Sequence, residues 1–350
     1  MYHMKPQRPQ HQRAAYGVFD QDNGVFRLTA RPPRKWNNLH YNEPGAHEVY
    51  AEISNIGDGQ IFVRDDQGCG CQLVTWDRKF LYIRDDDSGV VFCPGGEPAP
   101  EPVTDVSCDF AAASTTIRGT CQGLRATHRI FVPRREVCEA WTLTLENLTR
   151  KRRRVSVFAY AQFQLTGVNA EGRWVGADNA SEIHPDIQGV FVRNRDRSVP
   201  NGRFNGYLVA LSDFAGASGY RDYFTRSDFS LSTPRILWGW NCDNQPGCGP
   251  DCAGIVQVKL TIAPRGTARA DFLLGQAADL RAIKAVRKRM TRPRIDAACA
   301  EQTAIEQRRA GAFSVKTGVE RVDGLINHFA KKQMVSYLIN KSGFRDNLQN

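Results

Sequence analysis

The chain has 350 residues, of which 41% are hydrophobic and 10% aromatic, enough for a sizeable core in one large domain or two. Its net charge of +10 is scattered, with short runs at 150–154 and 287–289 and no basic, aromatic-interleaved module, so a solvated surface is expected and no nucleic-acid partner. No apolar run is long enough to span a membrane, and residues 1–15, basic and rich in Pro and Gln, lack the apolar stretch of a secretory signal; a disordered leader on a cytoplasmic protein is expected.

From Tyr16 to about Gly275 the dominant period is two. Val49, Ala51 and Ile53 alternate with Glu48, Tyr50, Glu52 and Ser54. Trp141, Leu143 and Leu145 alternate with Thr142, Thr144 and Glu146, and Val256, Val258, Leu260 and Ile262 with Gln257, Lys259 and Thr261. Such runs predict half-buried antiparallel strands with one wet face. In VSVFAYAQF (155–163) both faces are apolar or aromatic, which predicts a strand at the centre of a sheet. Shorter runs bounded by Asp, Gly, Asn or Pro bring the expected count above ten, without interleaved helices, and imply a large β-sandwich.

After Gly275 the period changes. Leu280, Ile283, Val286 or Arg287, and Met290 fall on one helical stripe, Arg292-Pro293 interrupts it, and a second helical stretch ends at Gly311. Thr317 and Glu320 form a T-x-x-E capping box, predicting a third helix that starts just before Val322. Val322, Leu325, Ile326, Phe329 and Leu338 give that helix an apolar face, and nothing after it supplies a core, so an incomplete chain is expected. Gly343 breaks the helix, and Phe344, Arg345, Asp346, Asn347, Gln349 and Asn350 follow. A guanidinium, a carboxylate and several amides packed this closely suit the holding of hydroxyl groups, since Arg donates, Asp accepts and amides do both.

Ten cysteines are many for a cytoplasmic chain. Most, such as Cys93, Cys121 and Cys138, sit singly in predicted strands, as small apolar fillers do. Cys242, Cys248 and Cys252 cluster in NCDNQPGCGPDC, but the spacing is not that of a zinc knuckle and no His is near, so a stiff loop of free thiols is expected and no metal.

Several stretches, in order, resemble one family. YGVFDQDNGVFRLTARPPRKWNN, EVYAEISNIGDG, FLYIRDDDSGVVFCP, RIFVPRREVCEAWTLTLENLT and RVSVFAYAQF are similar to the inverting disaccharide phosphorylases of glycoside hydrolase family 94, which includes cellobiose and chitobiose phosphorylases. GFRDNLQN resembles that family's G-[FY]-R-D-x-x-Q-D motif at the start of its catalytic barrel. The resemblance implies a mainly β fold: a large antiparallel β-super-sandwich, galactose-mutarotase-like, over 16–276, a helical linker over 277–316, and over 317–350 the first helix of a truncated (α/α)6 barrel. It also implies a homodimer that uses inorganic phosphate as co-substrate and no cofactor. Phosphate attacks the anomeric carbon of a β-linked disaccharide or oligosaccharide, releasing an α-sugar 1-phosphate. An inverting hydrolase needs a second carboxylate to activate water; phosphate brings its own negative charge, so one acid is enough.

Carried over by the motif, Asp346 accepts from hydroxyls of the donor sugar, Arg345 is its electrostatic partner and Gln349 a further polar contact. The general acid is expected beyond Asn350, so these residues alone should be inactive. Asn340 stands where many members have an Arg, and Asn350 where they have an Asp; both changes bear on the identity of the sugar. A non-catalytic carbohydrate-binding sandwich and the phosphorylase-like domain of a β-glucan synthase are the alternatives.

Overall fold

The computed structural model describes residues 16–20, 22–43, 47–199, 202–226 and 230–332. In chain order the strands begin with β1 (Gly17–Asp20), β2 (Val25–Leu28), β3 (Asn37–Tyr41), β4 (His47–Ser54), β5 (Gly59–Asp65), β6 (Gly70–Val74) and β7 (Lys79–Asp85). They continue with β8 (Val91–Phe92), β9 (Thr104–Ala111), β10 (Thr115–Cys121), β11 (Leu124–Phe131), β12 (Cys138–Asn147), β13 (Arg153–Gln162) and β14 (Thr166–Val168). The last are β15 (Trp174–Val175), β16 (Asn179–His184), β17 (Gly189–Asn194), β18 (Asn205–Ala210), β19 (Phe214–Tyr220), β20 (Cys252–Ile262) and β21 (Thr267–Gln276).

Three antiparallel sheets result. A ten-stranded sheet runs β1-β2-β9-β10-β11-β12-β21-β18-β17-β16, a five-stranded sheet β19-β20-β13-β7-β8, and a six-stranded sheet β15-β14-β6-β5-β4-β3. The central core lies where they face one another. It takes Val49, Ala51 and Ile53 from β4, Trp141, Leu143 and Leu145 from β12, and Val256, Val258, Leu260 and Ile262 from β20. Period-two alternation therefore aims the expected residues inward; full burial of each large side chain contributes roughly 1.5–3 kcal/mol.

β13 is the middle strand of the five-stranded sheet, and it is apolar on both faces for a visible reason. Val155, Val157, Ala159 and Ala161 point into the central core. Phe158 and Tyr160 point the other way, into a second cluster with Phe80, Tyr82, Phe224 and Ile236. Phe224 and Ile236 belong to the excursion between β19 and β20, which carries the short helix α1 (Arg221–Thr225) and a 3-10 turn at Arg235–Trp238 and roofs this sheet.

The outer face of the ten-stranded sheet is covered by α2 (Leu280–Arg289) and α3 (Arg292–Gly311). Ile283, Met290, Ile295, Ala298 and Cys299 pack there on Phe131, Ala140, Tyr207 and Leu273. Asp279 caps α2 by accepting from the Ala282 amide at 2.8 Å, and Arg287, Lys288 and Arg289 complement its C-terminal dipole. Arg292 and Pro293 open α3: a proline costs nothing in a first turn, where its missing N–H would have no helical partner. No helix among the described residues is long and apolar enough to cross a membrane.

The third helix starts just before Val322, as expected, but does not run on as a regular helix. α4 (Glu320–Gly324) starts two residues before Val322 and passes into a π turn at Leu325–Ala330. The Asp323 Oδ1 accepts from the Thr317 amide at 2.7 Å and from its hydroxyl at 2.6 Å, and the Thr317 hydroxyl accepts from the Val319 amide at 3.1 Å. Val322 and Leu325 stay exposed while Phe329 packs against the core. From Leu325 on the π turn departs from the 3.6-residue phase on which the predicted stripe depended. Leu338 and Gly343 lie outside the described residues.

Candidate functional site

A set of buried polar groups forms a seam from the sandwich interior to the C-terminal segment. Lys79, at the start of β7, is buried where its strand neighbours are apolar, and its ammonium pairs with Glu139 of β12, equally buried. The Trp141 indole N–H donates to the other Glu139 oxygen at 2.8 Å. The ring of His128 (β11) meets Trp141 edge-on at 5.6 Å. Burial, reinforced by the Lys79 charge, pushes the His128 imidazole down to about 3. His40 (β3) is buried against the Thr115 hydroxyl at 2.9 Å and is held well below its ordinary range, first by burial and then by Lys332 and Lys79. Both imidazoles are therefore neutral at physiological pH.

The seam continues through Asn38, whose amide donates to the Ala111 carbonyl at 2.8 Å and whose Oδ1 accepts from Lys332 Nζ at 3.1 Å. Burial lowers the Lys332 amine to about 7, with Glu306 pulling the other way. On α3, Glu306 Oε1 accepts from Arg309 at 2.9 Å and from Gln302 at 3.3 Å, and the Arg309 guanidinium lies over the Tyr41 ring. Asn327 clamps the preceding loop through the Val315 amide at 2.8 Å and carbonyl at 2.9 Å, and Phe329 meets Phe19 of β1 at 5.7 Å. Chemically this seam positions: its groups dock the segment that leads toward Arg345 onto the sandwich. Arg345, Asp346 and Gln349 themselves lie outside the described residues.

The cysteine loop ties two sheets together. The Asn244 amide donates to Ala217 O and the Gly219 amide to Gln245 O, each at 2.8 Å, along β19. On its other side the Ser181 amide donates to Gly247 O and the Gly249 amide to Asn179 O, each at 2.8 Å, along β16. Cys242 Sγ contacts Ile255 O at 3.7 Å, Cys252 Sγ contacts Gly247 O at 3.4 Å, and Cys248 is exposed. Burial raises the Cys242 thiol and pushes Cys252 up to about 12, against the thiolate form that zinc requires. Among the described residues no group of three His, Cys, Asp or Glu side chains is placed to hold a metal ion.

Sequence reasoning gave none of the sandwich residues in the seam a site role and named only Trp141 among them, as a core residue. The available signal was a lysine opening the apolar run KFLYI, with a glutamate two residues before the tryptophan of CEAW; nothing local pairs the two, since β8 to β11 lie between them along the chain.

A family model described as "Glycosyl hydrolase 94, supersandwich domain" matches residues 27–293. The solabiose phosphorylase of Paenibacillus borealis is 24% identical over 96% of this chain and 45% of its own length. The N,N'-diacetylchitobiose phosphorylase of Vibrio furnissii is 24% identical over 89% of this chain and 40% of its own. The chain thus spans less than half the length of these curated relatives. Among solved structures, a bacterial glucoamylase complexed with acarbose superposes with a TM-score of 0.51 at 10% identity, covering 90% of this chain and 44% of that one; at this identity it bears on the fold alone. With the family model matching most of the chain, and three antiparallel sheets followed by helices in the predicted order, the chain belongs to glycosyl hydrolase family 94 and carries its supersandwich domain.

Proposed function

We propose that this chain is the sandwich and the beginning of the sugar-binding barrel of an inverting glycoside phosphorylase. The reading rests on one observation: the supersandwich match over 27–293, in a chain whose relatives include solabiose and N,N'-diacetylchitobiose phosphorylases. In the reaction, a phosphate oxygen bonds to the anomeric carbon of a β-linked disaccharide as the glycosidic C–O bond breaks. The departing oxygen takes a proton from a general acid, leaving an α-sugar 1-phosphate and a free sugar. That acid is expected outside these 350 residues. Asp346 holds donor-sugar hydroxyls, Arg345 keeps it charged and Gln349 adds an amide contact; a carboxylate kept ionised by a guanidinium is a good acceptor and a poor proton donor. The working enzyme is a cytoplasmic homodimer that needs phosphate and no cofactor.

The test is phosphorolysis of a panel of β-linked disaccharides by a polypeptide that continues through the barrel, with light scattering to count subunits. Sugar 1-phosphate of α configuration is the expected product, and the 350-residue chain alone is expected to give none. Asp346→Asn should lower kcat/KM by about 10–100-fold with the fold intact, the loss associated with one charged hydrogen bond. Sugar binding with no phosphorolysis by the longer polypeptide would instead identify a carbohydrate-binding sandwich.

A further inference from the structure

The excursion that roofs the five-stranded sheet carries two tryptophans with unlike surroundings. Trp240 is partly buried, stacked on Phe158 at 6.5 Å and edge-on to Phe224 at 6.2 Å. Its carbonyl accepts from Arg84 at 2.6 Å, which anchors it to the sheet. Trp238 is 63% exposed although it has no solvent role that a smaller polar residue would not fill better. Gly239 between them is left-handed (φ 79°, ψ 7°), and this reversal sets the two indoles on one cavity.

That cavity, about 580 Å³, is lined by Asp222, Arg226, Arg235, Trp238, Gly239 and Trp240. The Arg226 guanidinium lies over one face of the Trp238 ring, 5.6 Å from its centre, and that of Arg235 over the Trp240 ring at 5.5 Å. Arg235 is fixed by donating to the Tyr223 carbonyl at 3.2 Å. The Asp222 side chain is 35% exposed beside this cavity, while its buried Oδ1 lies 3.9 Å from Arg221 Nε. The volume lies within the roughly 300–1,000 Å³ of small-molecule sites.

Aromatic rings beside two guanidinium groups and a partly exposed carboxylate match one ligand chemistry. A pyranose ring presents an apolar C–H face and a rim of hydroxyls that both donate and accept. We propose that this cleft is a carbohydrate-binding site of the sandwich, taking one pyranose unit of a β-linked oligosaccharide, with Trp238 as the stacking face and Asp222, Arg226 and Arg235 holding hydroxyls. A lone phosphate would leave the exposed face of Trp238 uncovered, and a hydrophobic peptide would bury charged groups without partners. The assignment of a sugar, rather than another polyol, rests on the proposed function.

Cellotetraose and chitotetraose titrated into the 350-residue chain test the site, by calorimetry for affinity and by saturation-transfer NMR for the contacting protons. Saturable binding is expected for at least one of them, with transfer concentrated on the ring C–H protons of one face. Trp238→Ala should weaken it at least ten-fold, Trp238→Phe less, and Asp222→Asn several-fold, with unchanged circular dichroism. Affinity unaltered in Trp238→Ala, or no binding of either saccharide at millimolar concentration by the folded chain, overturns the site. Phosphorolysis by the longer polypeptide is read separately. Binding lost with phosphorolysis intact rejects the cleft alone, and binding intact without phosphorolysis rejects the reaction alone.

Discussion

β13 with its neighbour β20, and the Lys79–Glu139–Trp141 cluster beside them, are both sealed from water but are held by different physics. The inward side chains of the strand pair are aliphatic, so each contact is small, many atoms share it, and the loss of one leaves the rest in place. The cluster puts two opposite charges where no water reaches either. Its stability depends on both partners being present, because desolvating one unpaired ion costs more than the pair returns. The sandwich is thus tolerant along its strands and brittle at one point.

The most direct way to break that contrast is Glu139→Ala. It strands the Lys79 ammonium and the Trp141 indole N–H together and should cost about 3–5 kcal/mol in urea denaturation. The double change Lys79→Met with Glu139→Leu should recover most of the loss, within roughly 1–2 kcal/mol of the parent, since a packed apolar pair has no ion to desolvate. If Glu139→Ala proves no worse than a conservative core truncation such as Val157→Ala, the two regions are alike and the contrast fails.

A pH titration of stability sharpens it further. The folded His128 imidazole is depressed to about 3 and His40 also lies low, both mainly through burial, whereas an unfolded histidine takes its proton near 6.5. Between those values the unfolded chain binds more protons, so stability is full above about pH 6.5 and falls as the pH is lowered toward 3. His128 alone should account for roughly 3 kcal/mol between pH 6.5 and pH 4. His128→Phe keeps the edge-on contact with Trp141 and should flatten that slope; an unchanged slope would place the titrating group elsewhere.

How much of this was legible depended on whether the signal is local. The two apolar faces of 155–163 announced a strand covered on both sides, and α2 was written in the spacing of Leu280, Ile283 and Met290. Asp279 shows a local rule at work: Asp279→Ala should cost about 1 kcal/mol by melting, the ordinary value of an N-cap. The Lys79–Glu139 pair and the bond from Lys332 to Asn38 join positions far apart in the chain, and no periodicity encodes such pairings. Phase can also mislead. Val322 and Leu325 fall on a helical stripe, yet both are exposed. For Arg345, Asp346 and Gln349 the motif remains the whole argument.

The smallest effect expected is none. Chelation with EDTA before a thermal melt should leave the transition where it was, because Cys242, Cys248 and Cys252 are not arranged as a metal cluster. A structural zinc would instead add several kcal/mol or more, and a large fall in Tm would show that one is bound.

The loop carrying those cysteines has a consequence for colloidal behaviour. β19 ends the five-stranded sheet and β16 ends the ten-stranded sheet, so each would present a row of open amides and carbonyls to any passing chain. Residues 244–249 occupy part of both rows at once. A proteolytic nick there would unmask two sticky margins while leaving the core intact, so the cleaved molecule should self-associate well below the temperature at which it melts.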